Sequence, residues 1–181
     1  MTSYPEYLAQ ERVARNKHEY VRGLVLAMAG GSPEHARLAG SLARLLGNAI
    51  QGQPCAVFSS DLRVRIVETD RSTYPDLTVV RGRRQTAPDD EEAIVNPTIV
   101  VEVLSDSTEA DDRGEKFAHY RRLASLQEYV LVAQKARRIE VYRREGQRWV
   151  LSEHGPGTEL ELDSIGATIA VDDVYRDPLA G

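Results

Sequence analysis

Residues Asn96–Ser107 read NPTIVVEVLSDS. Ile99, Val100, Val101, Val103 and Leu104 are apolar, and Glu102 stands among them as the single charge. A short apolar run bounded by Pro97 and the polar SDS reads as a strand buried on both faces. A carboxylate in such a strand costs several kcal/mol even after relaxation. Left alone, it would take up a proton. The chain must therefore supply Glu102 with a partner: an Arg or Lys, a cluster of hydrogen-bond donors, or a cation. A structural ion pair with one of the many arginines is the plain alternative to a functional role.

Working outward, YPDLTVV places Asp76 between Pro75 and another apolar strand. Pro75 cannot donate to a ladder, so Asp76 belongs at a strand start, a bulge or an edge. It could serve only as a turn residue accepting backbone hydrogens. If its strand pairs with that of Glu102, two carboxylates meet at one point of a sheet and repel unless a cation lies between them. Oxygen ligands without Cys or His suit Mg²⁺ or Mn²⁺. Downstream, SDSTEADDRGEKFAHYRRLA predicts a helix capped by Ser107 or Thr108, with Glu109, Asp111 and Asp112 in its first turn, as the helix dipole favours. Gly114 weakens that helix without ending it. Asp112, Lys116 and Tyr120 share one face by their i, i+4, i+8 spacing. Asp112–Lys116 is either a surface pair worth a few tenths of a kcal/mol or a means of aiming an ammonium at Glu102.

The remaining segments complete the pattern. Ser3 caps a helix through PEYLAQERVAR, and HEYVRGLVLAMAG reads as a hairpin bending at Gly23. Ser32 and Pro33 open a second helix, with Leu38, Leu42, Leu45, Leu46 and Ile50 as its apolar stripe. AVFSSDLRVRIV alternates Leu62, Val64 and Ile66 against Arg63, Arg65 and Val67. RGRRQTAPDDEEAIVN is expected to be a solvated surface loop. The tail, from EYVLVA through RRIEVYRR, RWVLSE and HGPGTELEL, is strand after strand. The order implies a mixed α/β (α+β) domain, a central sheet flanked by helices.

The 181 residues predict a single domain over 1–181. A net charge of −5 argues against coating nucleic acid through bulk positive charge, though not against a local basic patch. One cysteine, Cys55, rules out a disulfide framework and a Cys-rich zinc site. Neither a secretory leader nor a membrane-length apolar run is present, so a cytoplasmic protein with no membrane partner is expected.

Pro-Asp, then an acid in an apolar strand, then a lysine resembles the PD-(D/E)XK nuclease superfamily and its restriction-endonuclease-like fold. The usual lysine position, two residues after the acid, is Leu104 here. One branch carries the lysine on the following helix, and the chain resembles that branch, the Uma-two family. HEYVRGLVLAMAGGSPEH, YPDLTVV, IEVYRR and above all PTIVVEVLSDSTEADDRGEKFAHYRRLASLQEYVLV carry the likeness. It implies Asp76, Glu102 and the Val103 carbonyl as ligands of Mg²⁺ or Mn²⁺, and Lys116 as the active-site lysine. Glu19 matches the family's early acid and His35 the histidine opening its second helix. The implied activity is hydrolysis of phosphodiester bonds in DNA, duplex by fold analogy, by a homodimer. The rival is a catalytically inactive nuclease fold that binds nucleic acid or a protein partner.

Overall fold

A computed structural model describes residues 1–106 and 108–179. The chain opens with α1 (Tyr4–Glu11), the hairpin β1 (His18–Val21) and β2 (Leu24–Ala27), and α2 (Pro33–Ala49). Then come β3 (Cys55–Ser59), β4 (Arg63–Ile66), β5 (Arg71–Thr73), β6 (Leu77–Arg81), β7 (Thr86–Ala87), β8 (Asp90–Ile94) and β9 (Ile99–Val103). α3 (Glu109–Asp111) runs through a π-helical turn (Asp112–Lys116) into α4 (Phe117–Tyr120). The chain finishes with β10 (Glu128–Val132), β11 (Ile139–Glu145), β12 (Arg148–His154), β13 (Glu159–Leu162), β14 (Ala167–Ala170) and α5 (Val171–Tyr175). The fold is the expected mixed α+β architecture, and no helix among the described residues is long and apolar enough to cross a membrane.

The central sheet has the order β12-β11-β10-β9-β6-β3, with β9 and β10 parallel and the other pairs antiparallel. All five residues of β9 are buried, as a strand covered on both faces requires. Ile99, Val101 and Val103 point to one side, where Leu38, Leu42 and Leu46 of α2 pack with β13, β14 and α5. Val100 and Leu104 point to the other, against Tyr120, Leu123, Leu126 and Tyr129. Glu102 falls on this second face by the two-residue alternation. α2 starts where its sequence says: the Ser32 hydroxyl accepts the His35 N–H at 3.0 Å, with Pro33 in the first turn.

A second sheet, β2-β1-β5-β4-β8-β7, corrects one expectation. Residues 81–96 are not a solvated loop, since they supply β7 and β8 and bury Asp90. The arginines of β4 are buried with it. Arg63 donates to Asp90 from Nε (2.9 Å) and Nη2 (3.0 Å), and to the Tyr74 hydroxyl at 2.8 Å. Arg65 lies over the Tyr4 ring and bridges Asp70 and Asp89. A guanidinium can enter a sheet when its fork is filled by carboxylates. The acidic run and the arginines of β4 were each other's partners. α1 stops at Glu11, short of Arg15, and the Glu11 side chain accepts the His18 N–H at 2.9 Å. Thr108 precedes α3 without a side-chain cap, and Ser107, the other cap candidate, lies outside the described residues.

Candidate active site

β6 and β9 pair antiparallel in the register Leu77↔Val101, Thr78↔Val100, Val79↔Ile99. Extending it by one residue faces Asp76 with Glu102, and by two, Pro75 with Val103. Leu104 donates its N–H to β10 at Val132, so by alternation the Val103 N–H and C=O both point toward β6. Pro75 has no N–H to offer that carbonyl. The Val103 N–H is instead taken by the Asp76 carboxylate, at 2.7 Å from Oδ2. His35 Nε2 meets the same Oδ2 at 3.1 Å, which leaves Oδ1 for the cleft. That bond to Asp76 holds the His35 pKa above the ordinary imidazole value.

Glu102 is 3% exposed, and its Oε1 accepts the Tyr120 hydroxyl at 3.0 Å and faces Lys116 Nζ at 3.5 Å. Lys116 also lies 2.9 Å from Asp112 Oδ1 and 3.5 Å from Glu19 Oε1. The Asp112–Lys116 pair is therefore not a surface pair: Asp112 is 1% and Lys116 7% exposed. Glu19 is held from behind by Arg71 at 3.0 Å and by the Thr73 hydroxyl. One ammonium thus faces three buried carboxylates.

The electrostatics follow from that count. Burial pushes the Glu102 carboxyl up to about 8; Lys116 opposes this, while Asp112, Asp76 and Glu19 add to it. Burial raises Asp112 as well, against the pull of Lys116. Burial would also raise Glu19, but Lys116, Arg71 and Thr73 outweigh it and hold that carboxyl below its usual value. For Lys116 burial favours the neutral amine, yet Glu102, Glu19 and Asp112 win and keep it firmly protonated. Four carboxyl groups, Glu19, Asp76, Glu102 and Asp112, crowd this cluster, and Glu102 and Asp112 are held above their usual values.

Glu19, His35, Asp76, Glu102, Val103 and Lys116 all line one cleft of about 1320 Å³, together with Asp112. Arg15 and Lys17 lie along its wall, as do Lys135 and Arg138. Among the described residues no group of three His, Cys, Asp or Glu side chains stands ready as a metal cage. The donor set on offer is smaller and all oxygen: Asp76, Glu102 and the Val103 carbonyl that faces a proline. Oxygen donors of this kind suit a hard divalent cation. Of the other three histidines, His18 pairs with Glu11, His154 bonds Ser152, and His119 does not line the cleft.

Arg71 and Thr73 belong to the cluster although the sequence does not mark them, and Asp112 belongs to it as the buried partner of Lys116. The signal for Asp112 lay in its helix: the face that turns to the sheet carries Asp112, Lys116 and Tyr120 in place of an apolar stripe. No comparable pattern marks Arg71 or Thr73.

Comparison with known proteins places this arrangement in context. A crystal structure described as "a putative nuclease belonging to DUF820", from Anabaena variabilis ATCC 29413, superposes with a TM-score of 0.77 at 16% identity, over 94% of this chain and 96% of that one. It shares the fold. Two uncharacterized proteins of Synechocystis sp. are more similar in sequence. One is 41% identical over 175 residues, 94% of this chain and 90% of its own. The other is 37% identical over 159 residues, 87% of this chain and 90% of its own. The family model described as "Uma2: Putative restriction endonuclease" matches residues 4–172, and the chain belongs to that family.

Proposed function

We propose that this chain is a cytoplasmic, metal-dependent endonuclease that hydrolyses phosphodiester bonds in duplex DNA, with 1–181 acting as one nuclease domain in a homodimer. The observation that carries the reading is the meeting of Lys116, from the helix, with Glu102, from the buried strand, beside an Asp76 fastened to the Val103 amide. A scaffold gains nothing from gathering buried carboxylates around one ammonium, because such a cluster costs desolvation that apolar side chains would avoid.

Asp76, Glu102 and the Val103 carbonyl would hold Mg²⁺ or Mn²⁺. A divalent cation there supplies Lewis acidity toward a phosphate oxygen and a more acidic water. The protein groups have separate tasks. The Val103 N–H and His35 fix the Asp76 carboxylate, and Tyr120 fixes Glu102. Glu102, Glu19 and Asp112 favour the protonated form of Lys116, and as an ammonium it donates hydrogen bonds. It orients the attacking water and stabilises charge growing on the phosphoryl oxygens. One P–O bond forms from water, whose proton passes to solvent, one P–O ester bond breaks, and the leaving alkoxide takes a proton from solvent. Arg15, Lys17, Lys135 and Arg138 along the wall can meet flanking phosphates.

The test is nicking of supercoiled plasmid in Mg²⁺ or Mn²⁺ and in EDTA, for wild type, Asp76→Asn and Glu102→Gln. Metal-dependent nicking lost in both variants is expected. DNA binding by wild type without cleavage in any metal would replace this reading with the inactive binding module. Light scattering that reports a monomer at micromolar concentration would remove the homodimer.

A further inference from the structure

The helix that carries Lys116 is not α throughout, since Asp112–Lys116 is a π-helical turn between α3 and α4. In an α-helix, residues four apart drift by about 40° around the axis. Asp112, Lys116 and Tyr120 would then fan over about 80°. A π-turn winds more widely, so the offset from Asp112 to Lys116 reverses sign and the net fan from Asp112 to Tyr120 nearly closes. The three side chains converge instead: Lys116 lies 2.9 Å from Asp112 and 3.5 Å from Glu102, and Tyr120 donates to the same Glu102 oxygen.

A π-turn departs from the i→i−4 ladder and needs a cause, such as a side chain inserted into that ladder. Tyr129 supplies one. It is fully buried in the central strand β10, and its hydroxyl donates to the main-chain carbonyl of Asp112 at 2.9 Å. That residue opens the π-turn. In a regular α-helix its carbonyl would accept the N–H of Lys116 itself. The Tyr129 ring is fixed in turn, stacked on Phe117 with centroids 5.4 Å apart at 9° and packed on Tyr120.

We propose that Tyr129 is a positioning residue for Lys116: its hydroxyl, bonded to the Asp112 carbonyl, holds the π-turn that delivers the lysine to Glu102. The proposal rests on the reading of Lys116 as the active-site lysine, but its first test does not need activity. Tyr129→Phe keeps the ring and its stacking and removes only the donor. The metal-free protein is treated with a lysine-selective acylating reagent, and labelled peptides are quantified by mass spectrometry. Lys116 is expected to be protected in wild type and labelled several-fold faster in Tyr129→Phe. Tyr175→Phe is the control. It too removes a buried hydroxyl, one that bonds the Ala133 and Arg138 carbonyls at 2.8 and 2.7 Å, and it should leave Lys116 protected. In the nicking assay Tyr129→Phe should lose roughly 10–100-fold in kcat with KM unchanged, the usual scale for a supporting contact. Lys116 protected equally in wild type and Tyr129→Phe would overturn the proposal, as would equal labelling in both tyrosine variants. If Tyr129→Phe melts near the assay temperature, the labelling is repeated in the cold, where the folded fraction is restored. Wild type that nicks no DNA would remove the nuclease reading and leave the labelling result to decide this one.

Discussion

Lys116→Met replaces the ammonium of the cluster with a thioether of similar length. Three carboxylates, Asp112 at 2.9 Å and Glu102 and Glu19 at 3.5 Å, then lose their shared counter-ion. Removing one partner of a buried ion pair costs about 3–5 kcal/mol. Glu19 keeps Arg71, so the loss falls on Glu102 and Asp112, and the lower end, about 3 kcal/mol, is expected. Both groups already have pKa values raised by burial. Without Lys116 they rise further and stay protonated to higher pH. The sign follows: carboxyls raised in the folded state oppose folding above their unfolded pKa, about 4, so the defect grows with pH. Near pH 5 the variant should approach wild type; near pH 8 it should lose the full amount. For a chain of this size about 3 kcal/mol is roughly 6–12 °C in Tm. The assay is thermal melting in EDTA at both pH values, with nicking measured well below the lower Tm. Nicking should be abolished. A variant that melts with wild type at pH 8 would refute the account of a buried, lysine-compensated cluster. One that melts lower and still nicks would refute the catalytic role.

Other perturbations probe the supports. Gly31→Ala puts a Cβ 2.7 Å from His35 Nδ1; the ring must move off Asp76, and nicking should fall roughly 10-fold with little change in Tm. Asp90→Asn leaves Arg63 buried without its bidentate partner and should cost about 3 kcal/mol at pH 7 by urea unfolding. Burial would raise the Asp90 carboxyl, but Arg63 and Tyr4 hold it below its usual value. Its contribution is therefore present above about pH 4 and lost as pH falls through the folded pKa, so wild type should lose stability more steeply than Asp90→Asn on acidification.

The parts of the fold legible in the sequence were those with local causes. Ser32 and Pro33 mark the start of α2 by hydrogen bonding and fixed φ, whatever the rest of the chain does. The apolar run 99–104 announces a strand covered on both sides, and its one acid announces a partner. What was not legible depended on pairs far apart in sequence. Arg63 and Asp90 look like surface charges one at a time, and only their pairing across β4 and β8 buries both. Arg71 and Thr73 support Glu19 across 52 and 54 residues, with no periodicity to betray them. Asp112 was hidden differently: its spacing from Lys116 fits a surface pair and a buried one equally, and burial decides between them.

The lysine's position on the helix has a structural logic that can be tested in reverse. Val100, Glu102 and Leu104 alternate onto the same face of β9, so an amine at 104 would rise beside Glu102 from the strand itself. Here that position is a leucine, 3% exposed, that fills the cluster around Tyr120 and Leu126 and also borders the cleft. The strand spends this position on packing, and the helix returns the charge through Lys116. Placing Leu104→Lys in the Lys116→Met background should therefore restore an ammonium to the same carboxylates. The cost is the leucine's packing, about 2–5 kcal/mol on the scale of large-to-small core changes, moderated because the lysine stem still covers apolar surface. Part of the nicking lost in the single variant should return, and the loss of Tm at pH 8 should shrink relative to pH 5 as the cluster regains its counter-ion. If the double variant melts with a steeper pH dependence than Lys116→Met and nicks no faster, position 104 does not address Glu102. The two lysine positions would then not be physically equivalent.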